Sequence, residues 1–101
     1  MENRRMQRRK LSQKEIQDHL AELKGWEIIE TKLKKRFTFK NFSESLAFVN
    51  KVGEIAEKMD HHPDIFFGWG YAEFFITTHS EGGLTDLDFA LAKEIDSISS
   101  S

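Results

Sequence analysis

The sequence predicts an α+β domain in which three helices pack on one face of a four-stranded antiparallel sheet, in the order helix, two strands, helix, two strands, helix. Three observations carry this expectation. Capping signals at Ser12, Asn41 and Thr85 each precede apolar residues at helical spacing. The stretches between them, Trp26 to Lys40 and Ile65 to Thr78, are rich in aromatic and β-branched residues, the first with a period of two. A chain of 101 residues also has enough material for one hydrophobic core and no second.

The first helix opens at Ser12-Gln13-Lys14-Glu15, whose spacing lets the serine oxygen and the glutamate each satisfy an orphan N–H of the first turn. Leu11 and Ile16 stand at staple positions. Ile16, Leu20 and Leu23 form the stripe, and Gly25 is expected to end the helix in the left-handed conformation. His19 falls beside the stripe, at its solvent edge. From Trp26 the period changes: Trp26 and Ile28 alternate with Glu27, and after a turn near Thr31, Leu33, Phe37 and Phe39 alternate with Lys34, Arg36, Thr38 and Lys40. This pattern describes an antiparallel pair with one wet face.

Asn41, with Glu44 three residues on, opens a longer second helix. Its stripe is Phe42, Leu46, Val49, Val52, Ala56 and Met59, widened by Phe48 and Ile55. Pro63 disfavours helical backbone at His62, so this helix should end at about Asp60 or His61. Ile65 to Thr78 reads as two strands bent at Gly68 and Gly70, and Gly82-Gly83 as a turn. Thr85 with Asp88 caps the third helix, Leu84 and Phe89 staple it, and Leu87, Leu91 and Ile95 point inward. The expected boundaries are a basic, solvated tail over residues 1–10, the domain over 11–96 and a frayed end over 97–101.

Composition removes several function classes. The chain is 39% apolar and 32% charged and contains no run approaching the roughly 18 apolar residues of a membrane span. Without cysteine it can form neither a disulfide framework nor a thiolate zinc site nor a cysteine nucleophile, and a reducing, cytoplasmic location is the expectation. A net charge of −2 does not suggest a nucleic-acid partner, although Arg4, Arg5, Arg8, Arg9 and Lys10 crowd the first ten residues.

Three of the four histidines, His61, His62 and His79, lie between Glu57 and His79. Imidazole titrates near neutrality, so such a cluster suits proton transfer. The plainer alternatives are a satisfied polar role for each histidine, a solvated Glu57 and a purely capping Asp88. A metal set of His61, His62, His79 and Asp88 is disfavoured, because adjacent side chains diverge and neither an H-x-x-x-H spacing nor an H-E-x-x-H motif is present.

Glu57, His61-His62-Pro63, Trp69, His79 and Asp88 stand at the spacings of the pterin-4a-carbinolamine dehydratases. With Leu11-Ser12, Gly25-Trp26, Phe48-Val49-Asn50, Thr77-Thr78-His79 and Gly83-Leu84-Thr85, the chain resembles that family over residues 11–96. The resemblance implies a 4a-hydroxytetrahydrobiopterin dehydratase that removes water from the 4a-adduct to give quinonoid dihydropterin, with no metal or redox cofactor. By similarity, His61 and His79 do acid–base work, His62 binds the pterin and can share in proton transfer, and Glu57 supports them. Pro63 stiffens the loop, Thr78 and Trp69 line the pocket, and Asp88 holds His79 or the ligand while capping its helix.

The resemblance also implies a homodimer or homotetramer that joins sheets edge to edge and pairs its second helices. Mammalian relatives double as a dimerisation cofactor for a transcription factor. A non-catalytic dimerisation module of the same fold is therefore the alternative, and a pterin enzyme of another pathway a third. Ile65 stands where many relatives have tryptophan, and Trp69-Gly70-Tyr71-Ala72 where many have tyrosine followed by Asn-Lys-Val.

Overall fold

The computed structural model describes residues 9–99; residues 1–8 of the expected tail and 100–101 of the expected frayed end lie outside them. Seven main elements follow one another: α1 (Gln13–Leu20), β1 (Glu27–Ile29), β2 (Lys32–Thr38), α2 (Phe42–Met59), β3 (Asp64–Gly68), β4 (Tyr71–Ile76) and α3 (Asp86–Ser99). The strands form one antiparallel sheet in the order β1-β2-β4-β3, and the helices cover one face. This is the predicted α+β architecture. Among the described residues no helix is long and apolar enough to cross a membrane.

Ser12 and Glu15 form the full capping box: the serine side chain accepts from the Glu15 N–H at 3.2 Å, and Glu15 accepts from the Ser12 N–H at 2.8 Å. Arg9, assigned above to the tail, adds an ion pair to Glu15 at 3.0 Å. The helix ends at Leu20, earlier than the apolar stripe suggests. Tight bonds from Glu22 to His19 and from Leu23 to Leu20 replace the last turn, so Leu23 is not helical. Gly25 does take positive φ, +82°, but in the turn into β1, where a Cβ would also lie 2.9 Å from the Lys35 side chain. That lysine donates to the Lys24 carbonyl and to Asp96, each at 2.8 Å.

The core lies between the helices and the inner sheet face, which presents Leu33 and Phe37 from β2 and Ala72, Phe74 and Ile76 from β4. Phe37, Phe48 and Phe74 meet there with ring centroids 5.0 to 5.8 Å apart. On α2 the buried row is Ser45, Phe48, Val52 and Ala56, while Phe42 and Leu46 of the expected stripe remain 44% and 39% exposed. Ser45 enters the core because its hydroxyl donates to the Gly68 carbonyl at 2.6 Å, which joins α2 to the end of β3. Helix α3 runs to Ser99, three residues past the expected domain end.

Candidate active site

Helix α2 stops in a way that aims the histidine pair. Asp60 adopts the left-handed conformation (φ 53°, ψ 43°), its N–H donates to the Glu57 carbonyl at 3.2 Å, and the His61 N–H donates to the Ala56 carbonyl at 3.0 Å. This double bond pattern closes a helix with one left-handed residue, a conformation aspartate tolerates better than most side chains. The next residues, His61, His62 and Pro63, lead directly into β3. From the other side comes the end of β4. There Thr78 pairs with Gly83 and closes a short loop that holds a single 3₁₀ turn, His79–Glu81.

The two ends meet around a cleft of about 320 Å³, lined by Asp60, His61, His62, Thr77, Thr78, His79 and Ser80. That volume lies at the small end of the range for small-molecule sites. A larger hollow of about 440 Å³, between α1 and the β1–β2 turn, has no histidine in its lining.

Each histidine has a different environment. His61 is 5% exposed, and its Nε2 lies 2.5 Å from Oδ1 of the fully buried Asp88. His62 is half-exposed, with Nε2 2.7 Å from Glu57 Oε2, so Glu57 one turn back in α2 steadies its ring. His79 is exposed at the start of its turn, and among the described residues its ring makes no hydrogen bond. Behind His61, Asp88 Oδ2 accepts from the Thr78 hydroxyl at 2.9 Å and from the Thr85 N–H at 2.8 Å, and the two threonine hydroxyls lie 2.9 Å apart.

The cleft brings together His61, His62, His79 and Thr78, with Glu57 and Asp88 behind the first two and Pro63 at the exit toward β3. Two expectations change. Asp88 caps α3 as expected, but the imidazole it holds is that of His61 and not His79, because the start of α3 packs beneath the end of α2. Trp69 lies in the β3–β4 turn, 71% exposed and a whole strand away from His62, so it does not line this cleft within the chain. Among the described residues no three His, Asp or Glu groups are arranged around a common metal position. Thr85, read from the sequence only as a cap, proves to be part of the network; T-x-x-D spacing signals the cap and carries no sign of the Thr78 contact.

Comparison with known proteins finds a family pattern, named relatives and solved structures similar to this chain. The family pattern described as pterin 4 alpha carbinolamine dehydratase matches residues 9–98. A protein of Sulfolobus acidocaldarius, provisionally named a pterin-4-alpha-carbinolamine dehydratase, is 49% identical over 89 residues, covering 88% of this chain and 98% of its own. A protein of Rubrobacter xylanophilus with the same provisional name is 48% identical over 87 residues, covering 85% of this chain and 81% of its own. Among solved structures, the transcriptional coactivator/pterin dehydratase of Brucella melitensis superposes with a TM-score of 0.84 at 33% identity, covering 88% of this chain and 97% of that one. A pterin dehydratase-like protein identified as a RuBisCO assembly factor of the α-carboxysome superposes with a TM-score of 0.61 at 25% identity, covering 75% and 88%. These matches, over most of the chain and on the same fold, establish that the chain belongs to the pterin-4-alpha-carbinolamine dehydratase family.

Proposed function

We propose that the protein is a 4a-hydroxytetrahydrobiopterin dehydratase. The observation that carries the reading is the meeting of three imidazoles, two of them held by carboxylates, at one small cleft. Elimination needs a proton delivered to the departing 4a-hydroxyl, which leaves as water, and a proton removed from N5 as the C4a–N5 double bond of the quinonoid dihydropterin forms. Two imidazoles on the rim of a flat ring can serve both needs, each supplying the factor of roughly 10²–10⁴ usual for a positioned acid or base. His61 and His79 take the acid–base roles, His62 contacts the pterin, and Glu57 holds His62. No metal or redox cofactor takes part in this reading.

The test is direct dehydration of freshly generated 4a-carbinolamine, followed by ultraviolet absorbance against heat-killed protein. His61→Ala and His79→Ala should each slow it at least 100-fold with the fold retained. No acceleration by the wild-type chain over the spontaneous reaction would sink the enzyme assignment.

A non-catalytic dimerisation module is the second reading, favoured by the assembly-factor role in the name of the α-carboxysome relative. Unchanged activity in both alanine variants would favour it. In either reading the protein is a homo-oligomer, supported by the open edge of β3 and the exposed Phe42 and Leu46 on α2. Sedimentation velocity at micromolar concentration tests that assembly.

A further inference from the structure

We infer that the buried hydroxyl pair Thr85 and Thr78 fixes the ring proton of His61 on Nε2, so that His61 exchanges protons with a ligand through Nδ1. Thr78, Thr85 and Asp88 are 2%, 0% and 0% exposed, so water does not compete for their bonds. Each threonine has one proton to give. The Leu87 N–H donates to the Thr85 oxygen at 3.3 Å, and the Thr78 hydroxyl donates to Asp88 Oδ2 at 2.9 Å. With the Thr78 proton committed, the 2.9 Å contact between the hydroxyls must have Thr85 donating and Thr78 accepting.

The relay therefore has one direction, from the first turn of α3 through Thr85 and Thr78 into the carboxylate. Oδ2 also takes the Thr85 N–H at 2.8 Å. Oδ1 faces Nε2 of His61 at 2.5 Å and has no other donor in the network. A carboxylate accepts only, so Nε2 carries the hydrogen and Nδ1 is the nitrogen left for chemistry. Thr85 is thus a positioning residue, acting on His61 through Thr78 and Asp88.

The functional half of this inference rests on the cleft being an acid–base site; the proton's location does not, and the test reads that location in the free protein. Nitrogen-15 histidine spectra should show His61 as one tautomer, protonated at Nε2 and bare at Nδ1, in the wild type and in Thr85→Ser, which keeps the hydroxyl. Thr78→Val removes a donor that holds the carboxylate in place through Oδ2, and Thr85→Val removes the donor to Thr78; each frees the carboxylate to turn away from Nε2 and should give a mixture of tautomers. A wild-type His61 protonated at Nδ1, or a Thr78→Val spectrum identical to the wild type, overturns the inference. The wild-type spectrum decides even where a valine variant does not fold, and it decides independently of any dehydration assay.

Discussion

Asp88 shows most clearly how much one side chain does here. It accepts from the N–H that opens α3, from the Thr78 hydroxyl and from His61, joining three separate parts of the chain at a point with no access to water. Removing it strands all three donors, and breaking a buried pair by deleting one partner costs roughly 3–5 kcal/mol. Asp88→Ala should lower the urea midpoint by a corresponding amount without changing the slope, and a loss below about 1 kcal/mol would mean that solvent replaces the carboxylate. By contrast, the Glu57 and His62 side chains are 77% and 54% exposed, and a pair so open contributes little to stability. From the sequence, Asp88 was legible as a cap because capping is local. Its bond to His61 spans 27 residues and depends on where α3 lands, which no spacing rule records.

At the scale of elements, helix starts were readable and helix ends less so. Ser12, Asn41 and Thr85 all act as the caps their spacing announces, since the bonds involved reach no further than three residues. The end of α1 was misplaced because Leu23 keeps helical spacing while its backbone already turns on tight bonds to His19 and Leu20, after which the distant Lys35 takes the Lys24 carbonyl. The cap of α1 also carries a pH dependence. The Arg9 guanidinium, and next the Ser12 N–H, hold the Glu15 carboxyl well below its ordinary 4.5, at about 2. A depressed carboxylate contributes stability that is complete above its unfolded value and is lost as pH falls toward the folded one. The melting temperature of Glu15→Gln should therefore fall less than that of the wild type between about pH 4.5 and about pH 2. Parallel curves for the two proteins would show that the box adds nothing over this window.

For the whole molecule, the strand order leaves β3 at an edge, and its geometry prescribes how a second copy would add to it. Gly68 and Tyr71 oppose each other across a two-residue turn, so Gly68, Phe66 and Asp64 turn their backbone groups toward β4. Ile65 and Phe67 then present theirs to the open edge. An antiparallel copy centred on Phe66 would exchange bonds between Ile65 and Phe67 in both directions and would set Asp64 opposite the uncharged Gly68. No like charges meet in this register. Phe66, now 60% exposed, would face its own copy at a position where opposed side chains lie closest. Nothing on β3 discourages such pairing: it carries no lysine and no proline, the usual means by which edges stay single. Phe66→Lys should therefore reduce the assembly by one step in sedimentation velocity while leaving the circular dichroism unchanged. Leu46→Glu, on the exposed flank of α2, should act separately on any contact between helices. If the wild type sediments only as a monomer at micromolar concentration, both interfaces are excluded; if Phe66→Lys sediments like the wild type, the edge of β3 is not where copies join.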